Sequence, residues 1–320
     1  MPTRRAYAQS AVSTTDMPDL STLDVLDLSD AMSEYQALGW SVLTIRPADD
    51  PYEAVVRSPH GETVCLRRTP IVISRLGDNG DGHTGRASMI YRDLIPGRWD
   101  GRFVASHIAV PDGGEVPDDV HHHEVDFQFL AVRSGWVDVL YEGQGDVIRM
   151  QPGDIVLQPP GIRHRVLATS PGFDIVELGC PADHLTTFDH EMTLPNGTYG
   201  DHLWGGQRFV FSSPGNFAEA WDHPGFSSDD SGISAATNGI VDVRRVQTSD
   251  RVDTFPLTPH DFRFLFVMDG DINVIVSDGT THHLESGDSI ALPQAAQAQV
   301  TQGATNATLL DVLVPQTAAS

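Results

Sequence analysis

The chain contains no lysine. All 20 of its fixed cations are arginines, set against 44 aspartates and glutamates, so its formal net charge is −24 over 320 residues. Without a lysine amine, Schiff-base and pyridoxal-phosphate chemistry are excluded. So acidic a chain also argues against a nucleic-acid partner, because a phosphate backbone calls for a basic surface. No apolar run approaches the roughly 20 residues that cross a bilayer, so no membrane partner is expected. Residues Met1 to Pro18 lack the hydrophobic stretch of a secretion signal. Cysteine is nearly absent too: Cys65 and Cys180 stand far apart and form no disulfide framework, which reads as reduced thiols in a cytoplasm. In such a chain, any arginine that faces an interior becomes a candidate anchor for an anionic small molecule.

Against this background, two blocks in the middle of the chain stand out. The first is His121-His122-His123-Glu124-Val125-Asp126-Phe127-Gln128, with Gly135 seven residues after the glutamine. The second runs from Gly153-Asp154 through Pro159-Pro160-Gly161 to His164. Successive side chains of a strand point to opposite faces, so His121 and His123 share one face while His122 looks away. The Pro-Pro-Gly corner ends one strand before another begins near Arg165. Closing a sheet into a barrel is what brings inward residues of such distant strands together. Imidazoles with an oxygen donor suit Fe(II), Mn, Ni, Cu or Zn.

The two blocks resemble the paired motifs of the cupin family, G-x5-H-x-H-x3,4-E-x6-G and G-x5-P-x-G-x2-H-x3-N. The second is matched at Gly153, Pro159, Gly161 and His164, the first at His121, His123 and Gly135. Two positions depart: Gln128 stands where the family has Glu, and Ala168 where Asn is common. The resemblance implies a divalent metal held by His121, His123, Gln128 and His164, with Fe(II) favoured. A neutral glutamine would leave the ion more of its charge and strengthen its hold on an anionic substrate.

A fainter copy of the same pattern follows about 135 residues later. Phe262-Arg-Phe-Leu-Phe-Val-Met-Asp-Gly270 parallels Phe127-Gln-Phe-Leu-Ala-Val-Arg-Ser-Gly135, and Gly287 to Pro293 parallels Gly153 to Pro159. The repeat implies a duplicated barrel, a bicupin. In this register Arg263 replaces Gln128, Ala298 replaces His164, and Thr258 and Pro259 fall near the His-x-His positions, so the second barrel should hold no metal. His260, His282 and His283 read as surface or turn residues. Before the barrels, Leu23 to Leu28 reads as a strand. Ser29 or Asp30 would cap a helix over Ala31 to Leu38, which Gly39 ends. Strand-like runs follow at Trp40 to Ile45, Tyr52 to Arg57 and Glu62 to Arg67. This order resembles one module of the vicinal-oxygen-chelate family, which implies an accessory or dimerisation role.

The expected fold is therefore mainly β: two tandem jelly-roll barrels preceded by a small α/β module. The expected boundaries are a disordered leader over 1–18, the module over 20–70, a first barrel with the metal site over 87–180, a connector over 181–238 and a second barrel over 239–315. Around the metal, Arg102 is read as an anion anchor and His107 as a proton carrier on the entry strand. Asp126, by alternation from Gln128, would orient a ligating histidine, and Tyr141, which follows the ligand strand, is a further catalytic candidate. The expected activity is that of an Fe(II) dioxygenase acting with O₂ on a small oxygenated organic acid, diketone or aromatic hydroxy acid. The alternatives are an isomerase, cyclase or lyase using the ion as a Lewis acid, and a non-catalytic small-molecule binder.

Overall fold

The computed structural model describes residues 21–78, 82–99, 101–215, 217, 219–220, 226–248, 255–257 and 260–315. The leader expected over 1–18, and the positions Thr258 and Pro259, lie outside the described residues. The chain divides into two compact units, residues 1–69 and 70–320.

The first unit consists of β1 (Thr22–Val25), α1 (Leu28–Ala37), β2 (Ser41–Arg46), β3 (Glu53–Arg57) and β4 (Thr63–Arg68). They form a sheet of order β1-β4-β3-β2, with β1 parallel to β4. The helix starts earlier than the sequence indicates. Its cap is Asp27, whose carboxylate accepts from Asp30 N at 2.9 Å, and Leu28 is drawn into the core with Ala54, Val56 and Leu66. Burial of Leu28 accounts for the difference, because that side chain serves the helix rather than the preceding strand.

The second unit opens with β5 (Val72–Ser74), β6 (His83–Thr84), β7 (Ile90–Asp93), β8 (Val104–Val110) and β9 (Gly114–Glu115). Next come β10 (His121–His123), β11 (Phe127–Ser134), β12 (Val137–Tyr141), β13 (Ile148–Met150) and β14 (Ile155–Leu157). This half ends with β15 (His164–Thr169), β16 (Phe173–Cys180), β17 (Thr186–Phe188) and β18 (Val210–Ser212). Two facing sheets result, β13-β12-β15-β10-β17 with β9 on β15, and β18-β14-β11-β16-β8-β7-β6. The later half contains β19 (Glu219–Ala220), β20 (Phe226–Asp230), α2 (Ile233–Ala236), β21 (Asp242–Thr248) and β22 (Phe255–Pro256). It continues with β23 (Phe262–Asp269), β24 (Asp271–Val276), β25 (Thr281–Glu285), β26 (Ser289–Pro293), β27 (Ala298–Gln302) and β28 (Thr308–Val314). Its sheets are β19-β20-β21-β28-β23-β26-β5 and β22-β27-β24-β25. Each barrel borrows an edge strand from the segment leading into the other: β5 pairs with β26, and β18 with β14.

The repeated Phe-x-Phe pattern has a packing cause. Phe127, Phe129 and Ala131 of β11 join Phe262, Phe264 and Phe266 of β23 in one apolar core between the barrels. Phe103 stacks on Phe262 with ring centroids 4.0 Å apart. The alternate residues of β11 point the other way, and Leu130 and Val132 pack into the interior of the first barrel. Alternation thus assigns the odd positions to holding the barrels together and the even positions, Gln128 among them, to the barrel interior. Gly135 makes the β11–β12 turn at φ +70°, and a Cβ there would meet Phe173 Cα at 2.8 Å.

His260 is buried rather than superficial, at 2% exposure, whereas His282 and His283 lie on β25. Replacing Phe262, which is fully buried, with Ala should cost about 3–5 kcal/mol of unfolding free energy, read from urea denaturation. A loss below about 1 kcal/mol would mean that the inter-barrel core is not what holds this unit together.

Candidate metal centre

One strand register sets the site. On β10 and β15, His121 and His164 are direct antiparallel partners, and His123 follows His121 on the same face. Ring centroids are 4.2 Å apart for His121–His164 and 5.2 Å apart for both His121–His123 and His123–His164. One ring nitrogen from each of the three lies within 4.8 Å of the others. The Pro-Pro-Gly corner is stitched to the ligand strands: Gly161 N donates to His123 O at 3.0 Å, and Gln158 N to Gln128 O at 2.8 Å.

Each imidazole is oriented through Nδ1. His121 Nδ1 donates to Asp119 O at 2.8 Å and His164 Nδ1 to Ile162 O at 3.2 Å, while His123 Nδ1 bonds Thr186 Oγ1 at 2.9 Å. A carbonyl only accepts, so Nδ1 of His121 and of His164 carries the proton and Nε2 keeps its lone pair. His121 Nε2 is buried with no hydrogen-bond partner, and so is Gln128 Oε1. Burial and mutual repulsion push His123 down to about 3 and hold His164 well below the usual histidine range. Neutral imidazoles with oriented rings and orphaned acceptors are what a divalent cation requires. The donors therefore fit a metal ion.

Gln128 lies on β11 at 1% exposure, and its Nε2 donates to Glu177 Oε1. An inner cavity of about 60 Å³ is lined by His123, His164, Tyr141, Gln158, Glu177 and Arg86, with apolar walls that include Ile108 and Val139. It meets a mouth of about 320 Å³ lined by His83, Arg86, Tyr91 and Thr186, beside His123 and Glu177. Tyr141 lines the inner cavity: its ring is 5.7 Å from that of His164, its hydroxyl accepts from Gln158 Nε2 at 2.9 Å, and burial raises its pKa.

The other three sequence-derived candidates are not at the cavity. Arg102 pairs with Asp261 at 2.6 Å, where an acidic neighbour draws it towards the second barrel. On β8 it is Ile108 that lines the cavity, so His107 faces outward, with Nε2 3.3 Å from Asp174 and its ring 6.2 Å from Phe266. Asp126 is exposed and precedes β11, so alternation does not reach it; its carboxylate accepts from Cys180 Sγ at 3.8 Å.

In their place stand two residues that sequence reasoning passed over. Arg86 sits on a single helical turn, Arg86–Ser88, with its guanidinium paired to the buried Asp118 carboxylate. Glu177 sits on β16, and burial raises its pKa above the usual carboxylate range. Glu177 carried a signal, a lone acid in the apolar run Ile175-Val176-Glu177-Leu178. Arg86, in a Gly-rich stretch, carried none beyond being an arginine.

Residues 106–176 match the sequence family described as the cupin domain. By fold the chain is a bicupin. Oxalate decarboxylase of Bacillus subtilis superposes with a TM-score of 0.54 at 12% identity, over 78% of this chain and 78% of that one. The formate complex of Lactobacillus farciminis oxalate decarboxylase gives 0.54 at 12% identity, over 76% and 86%. Salicylate 1,2-dioxygenase of Pseudaminobacter salicylatoxidans gives 0.52 at 16% identity, over 77% and 84%. No curated protein matches this bicupin in sequence.

The His123 shift has a sign that can be tested. Between the unfolded value of 6.5 and the folded value of about 3, the unfolded chain binds the extra proton, so stability falls as pH falls through that window. Stripped of metal, the wild type should lose more melting temperature between pH 6.5 and pH 4 than a His123→Gln variant does; parallel pH profiles would contradict the buried, neutral imidazole.

Proposed function

We propose that this bicupin is a metal-dependent enzyme acting on a small oxygenated organic molecule, specifically an Fe(II) dioxygenase for an organic acid, diketone or aromatic hydroxy acid. One observation carries the reading: the cluster of three imidazoles presents His123 and His164 to the same cavity that the Arg86 guanidinium borders. His121, His123, Gln128 and His164 would hold the ion. When bound, it supplies a Lewis acid and, as Fe(II), a place where substrate and O₂ meet.

The chain's own groups do the rest. The five donors of a guanidinium form a rigid fork, so Arg86 can bind a substrate carboxylate at the mouth while remaining paired with Asp118. Tyr141 accepts from Gln158 and, with a raised pKa, keeps its own proton to donate to a substrate oxygen. Apolar walls such as Ile108 and Val139 exclude water from the reacting end. The likeness to salicylate 1,2-dioxygenase, whose named substrate is an aromatic hydroxy acid, supports this choice. Two free cysteines, Cys65 and Cys180, and the lack among the described residues of any helix long and apolar enough to cross a membrane support a cytoplasmic setting.

A second reading is a lyase that uses the ion only as a Lewis acid. The likeness to oxalate decarboxylase favours it, as does Glu177, a cavity carboxylate able to hold and return a proton.

Anaerobic loading with Fe(II), followed by a panel of small acids and diketones including salicylate and oxalate, separates the two. Stoichiometric O₂ uptake supports the dioxygenase; CO₂ release without O₂ uptake supports the lyase; no turnover of any acid overturns both. His121→Ala and His164→Ala should each abolish metal retention by elemental analysis, and unchanged metal content in both would remove the centre. Arg86→Gln should raise KM for the turned-over acid by about tenfold to a hundredfold, the worth of one charge-assisted hydrogen bond. An unchanged KM would place the carboxylate elsewhere.

A further inference from the structure

Gln128 stands where the family motif has a carboxylate, yet a carboxylate is present one strand away. In the register of β11 with β16, Gln128 faces Gly179 and Leu130 faces Glu177. Glu177 is thus the diagonal neighbour of Gln128 on the interior face, where diagonal partners are within reach of long side chains. The amide Nε2 of Gln128 donates to Glu177 Oε1. With its NH₂ given to Glu177, the amide turns its oxygen away from that residue. That oxygen, on a side chain 1% exposed, is buried and has no hydrogen-bond partner.

The second barrel repeats the arrangement with different chemistry. Arg263 faces Leu313 and Leu265 faces Asp311, the same diagonal in the same register. Arg263 Nε and Nη2 donate to Asp311 Oδ1 and Oδ2 at 2.8 and 2.6 Å. Both repeats therefore pair a donor on the ligand-bearing strand with an acid on its neighbour. A guanidinium presents donors only; an amide spends its donor on the acid and leaves an acceptor over.

We propose that Glu177 is a positioning residue: it locks the Gln128 amide so that Oε1, and not the NH₂, faces the three histidine Nε2 atoms. The carboxyl group absent from β11 is thereby supplied from β16, one layer behind the ligand. This rests on the metal-centre reading above. A chain with this pairing keeps a neutral fourth donor without leaving its orientation to chance.

The test uses Co(II) alone as the probe, titrated into the full chain after chelator treatment, with affinity and the visible d–d spectrum as readouts. Circular dichroism and thermal melting of the metal-free variants check the fold. E177Q, which replaces the carboxyl acceptor with an amide that can donate as well as accept and so no longer dictates which way Gln128 turns, should bind Co(II) about 10- to 100-fold more weakly, with an altered spectrum. The exchange variant Q128E/E177Q restores a donor–acceptor pair with the roles reversed, and should recover wild-type affinity to within about threefold. E177Q binding Co(II) as the wild type does, with the same spectrum, overturns the proposal, as does an exchange variant no tighter than E177Q. If H121A loses Co(II) while E177Q is unaffected, the metal centre stands and this inference alone fails. A wild type that binds no Co(II) overturns both.

Discussion

The antiparallel pairing of His121 with His164 is the contact on which the site depends. It joins residues 43 positions apart in the chain, and β10 is only three residues long. A one-residue slip would turn His121 and His123 from the interior and bring His122 inward, because side-chain direction has a period of two. The register does not rest on that short strand alone. Gly161 N holds His123 O, Val166 N holds the Asp118 carboxylate at 3.0 Å, and β17 pairs with β10 along its whole length.

Charge within the barrel is rationed. The three imidazoles are kept neutral by burial, the acid nearest them is shared with an amide, and Arg86 is countered by Asp118. In a chain of net charge −24, the Arg86 guanidinium places a positive charge at the cavity mouth that the surface as a whole lacks. The second barrel shows the alternative: at the position of Gln128 an arginine closes a fully buried ion pair with Asp311, and at the position of His164 stands Ala298. Burying such a pair is close to neutral for stability when it is well bonded and costly when one partner is removed.

Much of this was legible in the sequence. Strict spacing made His121, His123 and His164 readable, and the repeated Phe-x-Phe revealed the duplication, since period-two alternation ties each pattern to one face. The fold class followed from the same signals. The helix start moved to Leu28 because capping by Asp27 and core burial outweighed the Ser29/Asp30 signal. Asp126 failed because alternation was extended beyond the first residue of the strand, and His107 because only one of two adjacent residues can face a cavity, a choice that the neighbouring strand makes. Arg86 and Glu177 reach the cavity through a turn and a diagonal strand contact. Arg86 leaves no mark in the chain, and Glu177, though marked as a lone acid in an apolar run, has no spacing that ties it to Gln128. The exchange of β5 and β18 between the barrels was hidden for the same reason, since an edge strand of three residues carries no period.

The most direct measurement is anomalous diffraction at the absorption edge of the bound metal in crystals of the full chain. A single peak should lie about 2.0–2.2 Å from Nε2 of His121, His123 and His164, with Gln128 Oε1 turned towards it. A peak elsewhere, or ligation through any Nδ1, would contradict the centre described above.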